Sequence, residues 1–407
     1  MKKYFQRTQS LEWMLLVILF LPSFIYYGNF ILSLLGVNGY FSYLYGILTL
    51  FSTYIWISGL FKKNGAKVAL LLLITLILIL SAFIIHGNGR YIIGTNGLSL
   101  HSFLVSDLGN FYNLVLPILV LYFNGADLDC VFTRPIIVSR LLIVLQLITY
   151  YVTIRTGAFS VLAGDYMSFA YYGLLPMMAL FVNKDKSFLN LVFFIIGAFS
   201  ILIIGCRGAL VTSLVFVLSY YLFKAIIEEK RYKFIIFLSV IILFIIYGLD
   251  LLVLINNQLE RVGFSSRTLV AIMSGSDSFV DSSGRDELSL IAFQNIKLLP
   301  DGLWGDRQYF DVYIHNWILE ILLDAGLFIG LLIIIYILYI MLNSIIRTIH
   351  SKSIIEVAML CYCLSMLGVK FLVSSSFLVD PGFLLSVLML LQISRTGDKN
   401  YFISASI

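Results

Sequence analysis

Four polar residues enter an apolar segment in the stretch HNWILEILLDAGLFIG, which begins at residue 315. His315 stands at the start of the predicted helix, where a side chain with a near-neutral pKa suits proton transfer. Asn316 is followed at successive i+4 steps by Glu320 and Asp324, so these three residues share one helix face. Ionisable groups inside a membrane helix normally face the bundle interior or a watered cavity. Two acids on one stripe beneath a histidine are costly for a purely structural helix, so the stretch predicts a functional helix end.

The same helix allows a structural interpretation. His315 would then anchor the helix end at the membrane interface, and Glu320 would pair with a base on a neighbouring helix. On a straight helix Asp324 would lie roughly 13 Å deeper than His315. Gly326 and Gly330 form a GxxxG pair, which predicts close approach of another helix.

Arginines at two predicted helix starts are the second feature with chemical meaning. Arg207 lies in GCRGAL at a tight turn before an apolar span, and Arg285 lies in the first turn of an amphipathic segment. Helix N-termini favour anions, and a guanidinium group binds phosphate or carboxylate through two hydrogen bonds. Both arginines are candidates for binding an anionic ligand. The alternative is pairing with acids of the same loops, such as Asp286 and Glu287 beside Arg285.

Composition defines the surroundings of these residues. Of 407 residues, 60% are hydrophobic and only 12% are charged, whereas soluble domains are roughly 45 to 50% apolar. Apolar runs of about 20 residues recur along the chain, and helices satisfy their own backbone groups in lipid. This composition excludes a soluble globular protein. It predicts an all-α, polytopic membrane helical bundle.

We predict about twelve transmembrane helices. Their expected bounds are 11–30, 40–61, 68–86, 103–123, 135–153, 166–182, 187–205, 208–227, 234–254, 316–342, 354–375 and 378–394. The first follows a basic segment and has no small-residue cleavage site, so we interpret it as a retained anchor.

Three regions follow from this division. They are an N-terminal transmembrane bundle of about nine helices (1–254), a large external loop (255–312), and about three C-terminal helices with a short cytoplasmic tail (313–407). In the loop, apolar spacing from Leu288 predicts an amphipathic helix, with Ser283 and Asp286 as a capping box and Pro300 as its stop. Such a helix would lie on the bilayer surface or cap the spans.

The basic residues predict the orientation, because positively charged loops tend to remain cytoplasmic. Both termini are then cytoplasmic, and the outer side carries seven arginines and two lysines against six arginines and twelve lysines inside. Because arginine is the better phosphate ligand, the outer face is predicted to bind an anion. Further candidate binding residues on that face are Arg155, Arg261, Arg267, Arg307 and Lys370.

The cysteines and histidines, four of each, form no recognisable ligand or disulfide pattern. Cys361 and Cys363 are two residues apart on different faces of one predicted helix, and no histidine stands with carboxylates at ligand spacing. We predict no metal site and no cofactor.

In their order and spacing, several of these motifs resemble the O-antigen polymerase (Wzy-type) and O-antigen ligase superfamily of bacterial polysaccharide membrane proteins. They are GCRGAL between two spans, a large external loop, GR at a helix start followed by LLPDGLWGD, and HNWILEILLDAGLFIG. The resemblance covers roughly residues 190 to 345. Gly326 meets the ligase-type glycine, but Ile329 stands where that signature expects Gly, Thr or Tyr. This departure favours a polymerase.

The resemblance implies a GT-C-like, metal-independent glycosyltransferase of the bacterial inner (cytoplasmic) membrane. It would polymerise undecaprenyl-pyrophosphate-linked oligosaccharide repeat units into O-antigen or capsular polysaccharide at the external face. Arg207 and Arg285 would stabilise the leaving pyrophosphate, and the acceptor hydroxyl would lose its proton to His315. Asn316 and Glu320 would support that histidine. The partners would be the lipid-linked donor and acceptor, membrane lipids, a chain-length regulator and a flippase, but no nucleic acid.

Other functions remain open. A ligase would transfer the finished glycan from undecaprenyl pyrophosphate to a lipid A-core or another envelope acceptor. A transporter or flippase of lipid-linked glycan would also explain outer arginines and intramembrane acids. Such proteins contain internal repeats and broken helices near the midplane, whereas this chain has only six prolines and no second large loop in its N-terminal half. A purely structural membrane protein is the residual case.

Overall fold

The computed structural model describes residues 2–37, 40–62, 64–85, 107–156, 159–229, 285–310 and 314–404, with scattered positions between 232 and 273. Within these ranges the regular structure is entirely helical, which confirms the all-α prediction. The helices are α1 (Lys2–Leu34), α2 (Tyr40–Leu60), α3 (Gly65–Ile85), α4 (Leu116–Phe123), α5 (Cys130–Thr133), α6 (Ile136–Thr156), α7 (Phe159–Val182), α8 (Phe188–Ile204), α9 (Arg207–Ile227), α10 (Arg285–Asn295), α11 (Trp317–Ser351), α12 (Ile354–Ser365), α13 (Phe371–Val373) and α14 (Pro381–Ser404).

Six of the described helical segments are long and apolar enough to cross a membrane. They are Gln9–Leu34, Tyr43–Leu60, Ile136–Thr153, Arg207–Ile227, Trp317–Ser351 and Ile354–Val373. Five shorter apolar helices of 10–17 residues accompany them. The chain is therefore a helical membrane protein, and the number of twelve spans stays a prediction. The predicted span 234–254 lies almost wholly outside the described residues.

Neighbouring helices build the bundle. The helices α6, α7 and α8 pack in sequence, with α1 against α6, α9 against α12, and α14 against both α11 and α12. Polar side chains inside it bond to backbone, as Tyr27 Oη does when it donates to Phe169 O at 2.8 Å. Pairing of this kind offsets the desolvation of a buried hydroxyl.

Two π-helical turns interrupt the α-helical pattern, Phe111–Val115 directly before α4 and Met366–Lys370 between α12 and α13. Such turns are rare and recur near functional sites. Both lie at the same end of the bundle, where the loop 374–380 joins α13 to α14. We call this the cavity end. The end with the turn Lys184–Lys186 and the start of α12 is the opposite end.

The long helix α11 is broken at Gly326, whose backbone has φ 73° and ψ 168°. A short helix over 317–325 precedes the break and a longer one over 327–351 follows it. Leu327 N donates to Lys297 O at 2.8 Å, and Gly302 N donates to Asp324 O at 2.9 Å, so the incoming loop satisfies the broken backbone. The break lies after Asp324, so it changes the course of the chain beyond residue 325. The expected depth of Asp324, roughly 13 Å below His315, stays a prediction.

The residues that pack against the two glycines of the GxxxG pair belong to chain segments next to the break, not to a separate helix. A Cβ at Gly326 would lie 2.7 Å from the carbonyl carbon of Leu299 and 2.8 Å from Pro300 N. At Gly330 it would lie 3.1 Å from Leu322 Cα, in the short helix just before the break. The interpretation as a helix-pairing motif was wrong, because the positive φ of Gly326 turns the chain back on itself.

The amphipathic helix α10 covers the start of α11. Ala292, Phe310, Ile314 and Leu323 form a buried cluster there, with further apolar side chains of α10 packed against it. This packing agrees with the predicted cap, and the predicted contact of the helix with the bilayer surface stays a prediction. The description of this helix begins at Arg285, and the proposed cap residue Ser283 lies outside the described residues.

Candidate functional site

A cavity of about 440 Å³ opens at the cavity end. Its apolar walls come from α1 and α7, and both π-helical turns and the loop 374–380 border it. The polar lining includes Asp107, Asn110, Tyr171, Lys370, Ser375 and Asp380. A pocket of this size, apolar with a few convergent polar groups, is the usual form of a ligand site.

Lys370 is the cation of this cavity and stands at the end of the second π-helical turn. Its side chain is only 6% exposed, and Nζ lies 2.5 Å from Asp380 Oδ2. Nζ also lies 5.0 Å from the ring centroid of Tyr171. A buried ammonium group in an apolar bundle needs such a carboxylate, because its desolvation is otherwise costly.

Asp380 is fixed by several donors. Oδ2 accepts from Ser375 Oγ at 2.8 Å as well as from Lys370, and Oδ1 accepts from Gly382 N at 2.8 Å. The last bond caps the N-terminus of α14, whose first residue is Pro381. Ser375 itself has φ 71°, an uncommon conformation for a residue with a side chain. The loop 374–380 therefore presents a rigid carboxylate and hydroxyl to the cavity.

Glu320 holds the other side of this loop. Its carboxylate is buried, and it accepts hydrogen bonds from Ser376 Oγ and, at 3.2 Å, from Phe377 N. Trp317, one turn earlier, donates through Nε1 to Leu367 O at 3.0 Å in the π-helical turn. The structure thus brings two predicted residues, Glu320 and Lys370, to the same loop.

His315 and Asn316 form the entry to α11. Asn316 is the N-cap, and its side-chain oxygen accepts from Ile318 N at 3.1 Å and Leu319 N at 3.3 Å. His315 is half-buried with φ 62°, a conformation that costs on the order of 1–3 kcal/mol and clusters at functional sites. The cap fixes the backbone directly after the histidine. Neither residue lines the cavity itself.

Asp324 lies one turn after Glu320 in the same helical segment but bonds to a different loop. Its carboxylate is buried and accepts from Trp304 N and from Asp306 N, both at 3.1 Å. It therefore holds the turn Gly305–Gln308 of the incoming loop. The two acids that the sequence placed on one stripe thus stabilise two different loops.

Arg207 begins α9, directly after Gly205 with φ 89° and the N-cap Cys206. Its side chain is half-buried. The next residue, Gly208, packs against the hydroxyl of Tyr171, which lines the cavity. Arg207 thus lies at a helix start next to the cavity wall, where an anion would be favoured.

The other predicted basic residues either do not line the cavity or lie outside the described part of the chain. Arg155 is exposed at the end of α6, where Nε donates to Tyr151 Oη at 3.0 Å, and exposed Arg261 lies 3.5 Å from Gln258 Oε1. Neither lines the cavity. Arg267 and the side chains of Arg285 and Arg307 lie outside the described residues, although Arg285 is the first residue of α10.

Several cavity residues had not been predicted, among them Asp380, Ser375 and Tyr171. Asp380 has a readable signal, because Asp-Pro-Gly after an apolar run is typical of a capped helix start. A lysine ten residues earlier in the same apolar region adds an unpaired charge that needs an acid. Tyr171 carries no comparable signal, since its neighbours in α7 are equally aromatic.

In the described part of the chain, no three His, Cys, Asp or Glu residues are grouped so that they could hold a metal ion. The polar groups of the cavity are the Lys370–Asp380 pair, the carboxylate of Asp107, and hydroxyl and amide groups. Comparison with protein-family models, with curated proteins and with solved structures found no match to this chain.

Proposed function

We propose that this protein is a membrane glycosyltransferase that polymerises undecaprenyl-pyrophosphate-linked repeat units at the external face of a bacterial inner membrane. The cavity is the observation that carries the proposal. It combines a buried ammonium–carboxylate pair, hydroxyl and amide groups with apolar walls from Leu19, Leu114 and Leu175. A substrate with a charged and sugar-bearing head on a long apolar chain matches this mixed lining.

In the proposed reaction, an acceptor sugar hydroxyl attacks the anomeric carbon of the donor chain. A new C–O bond forms as the anomeric bond to pyrophosphate breaks, and His315 takes the proton of the hydroxyl. The leaving pyrophosphate carries away the electron pair and is stabilised by Arg207 at the start of α9 and by Lys370. Arg285, at the start of α10, is the third cation of this assignment.

Glu320 has a supporting part in this proposal. Because it accepts from Ser376 and Phe377, it fixes the loop that carries Ser375 and Asp380. Lys370 binds that same Asp380. Correct placement of the cation therefore depends on a residue of α11, the helix that follows His315.

A transporter of lipid-linked glycan is the second candidate, because α11 is broken and discontinuous helices are common in transporters. In transporters the break lines the substrate cavity. Here the open backbone groups at Gly326 face residues 297–302, and Gly326 does not line the cavity. This difference favours the enzyme.

The product that accumulates in a deletion strain tests the proposal. A lost polymerase leaves single repeat units on the envelope acceptor, and the plasmid-borne gene restores long chains. Full-length glycan stranded on the undecaprenyl carrier would replace the proposal by a ligase. Repeat units confined to the cytoplasmic leaflet would replace it by a flippase.

A further inference from the structure

The outward face of α10 and the turn after it are strongly apolar. Leu290 and Phe293 are 58% and 70% exposed, and Leu298 and Leu299 are 61% and 77% exposed. The opposite face of α10 is already packed on α11 through Ala292. This segment is thus apolar on two sides, which is unusual for a loop helix in water.

This exposed patch is continuous with a surface of α11 that faces outward from the bundle. Leu327 N bonds to Lys297 O at 2.8 Å, and the backbone of Leu299 lies against Gly326. Directly after this contact Phe328 and Ile329 are 67% and 50% exposed. Exposed apolar residues continue along the helix at Leu331, Leu332, Ile335, Tyr336, Leu338, Tyr339, Leu342 and Ile346. In a membrane helix such a stripe faces lipid.

Charge is nearly absent from the segment. Between Leu288 and Pro300 the sole charged residue is Lys297. Its Nζ lies 2.9 Å from Asp301 Oδ1, and Tyr309 Oη donates to Asp301 Oδ2 at 3.1 Å. Hydrogen bonds to Tyr309 and Asp301 raise the pKa of Lys297, which keeps its ammonium group protonated. A long lysine stem with a paired head and an adjacent tyrosine suits the headgroup boundary.

We infer that α10 and the turn Leu298–Pro300 are seated in the outer boundary of the bilayer, with lipid acyl chains covering Leu290, Phe293, Leu298 and Leu299. The occupant is lipid because the patch joins the lipid-facing stripe of α11 at the contact of Leu299 with Gly326. The exposed polar residues beside the patch are Gln294 and Lys297, as is usual for a helix at the headgroup boundary. The turn Leu298–Pro300 also packs its backbone against Gly326, where α11 is broken. The position of the bilayer surface is thereby coupled to the start of α11. This inference requires a membrane protein but not the proposed enzymatic function.

Nitroxide accessibility in proteoliposomes tests this inference. Spin labels at Phe293→Cys and Leu298→Cys are compared with Phe328→Cys as the lipid reference and Asp185→Cys, whose side chain is 70% exposed, as the water reference. The exposed Glu287→Cys is the matched control on α10 itself. The four native cysteines are buried, and labelled wild-type protein gives the background.

We expect labels at positions 293 and 298 to collide with oxygen several times more often than with a water-soluble nickel chelate, as at Phe328. The label at Glu287 should resemble that at Asp185. Preferential nickel collisions at positions 293 and 298 would overturn the inference, because the patch would face water. Dipolar broadening that disappears on dilution with unlabelled protein would also overturn it, because a second copy would cover the patch. Leu290→Cys replaces either variant that fails to reconstitute.

Discussion

The two ends of the bundle each contain a partly or fully buried lysine, but the lysines meet different partners. At the cavity end Lys370 binds Asp380 and faces a cavity of about 440 Å³. At the opposite end, aromatic rings surround the ammonium group of Lys184, and burial lowers its pKa to about 8. Its Nζ lies 3.9, 4.7 and 5.0 Å from the ring centroids of Phe181, Tyr220 and Tyr221.

The two histidines that flank α11 differ in the same way. His315 is half-buried in a left-handed conformation beside the helix that holds the cavity loop. His350 is exposed in the last turn of α11, and its Nδ1 lies 2.7 Å from Ile346 O in the same helix. Of these two histidines, His315 has the left-handed backbone conformation, which clusters at functional sites.

Ion pairs complete the comparison. Arg134 and Glu12 pair at the opposite end, between the α5–α6 connection and α1, with side chains that are 31% and 7% exposed. That pair joins two packed elements, whereas Lys370 and Asp380 border open volume. The difference teaches that buried charge by itself does not indicate a site. Lys370 and Asp380 are a candidate site because they are held rigidly at the edge of a cavity.

The largest expected effect separates the two histidines. His315→Gln keeps a polar side chain but cannot take a proton at neutral pH, so polymer formation should fall about 10²- to 10⁴-fold. His350→Gln should keep wild-type activity. Polymer length and yield are measured at matched protein levels. Wild-type activity in His315→Tyr, a variant suited only to interfacial anchoring, would remove His315 from catalysis.

A pair of double variants separates stability from activity. Lys370→Met with Asp380→Asn removes both charges of the buried pair and keeps a side-chain oxygen that can cap α14. Thermal stability in detergent should be kept while activity falls about 10²- to 10³-fold, because a cation for the leaving group is lost. Glu12→Leu with Arg134→Met is the matched control and should stay active. Full activity in the double variant at Lys370 and Asp380 would show that this ion pair is structural and does not act in the reaction.

Gly326→Ala tests the broken helix at the cavity end. The positive φ alone costs about 1–3 kcal/mol for a residue with a side chain, and the new Cβ would lie 2.7 Å from backbone of Leu299. A clear drop in the apparent melting temperature is expected. Gly46→Ala, where nothing lies within 4 Å, should be neutral or slightly stabilising. Equal melting temperatures of both variants would contradict the break.

The smallest effect concerns the pH dependence at the opposite end. The pKa of Lys184 is about 8 in the folded protein, below the ordinary 10.5 of an unfolded lysine. The unfolded state therefore binds more protons between these values, and stability should rise as the pH increases through this window. Lys184→Met should flatten that rise. Lys186→Met, exposed on the same turn, should preserve it. Asp185, Lys224, Tyr220 and Tyr221 are the neighbouring titratable groups.

Local patterns predicted the helical membrane class and the start of α9, because hydrophobic length and turn residues are encoded over a few positions. The break at Gly326 was not predicted, because the same GxxxG pattern is found where two helices pack and where the chain reverses against a loop. Asp380 was missed for a related reason. Its pairing with Lys370 requires that α13 and α14 fold back on each other, which no local pattern reports.

In vitro polymerisation tests the central claim most directly, namely that the cavity end joins lipid-linked repeat units. Purified wild-type protein in liposomes is given labelled undecaprenyl-pyrophosphate-linked units without nucleotide sugars or other proteins. We predict a ladder of products that differ by one repeat, with release of undecaprenyl pyrophosphate. Folded protein that yields no product longer than one repeat, or that only transfers finished glycan to a lipid A-core acceptor, would contradict the claim.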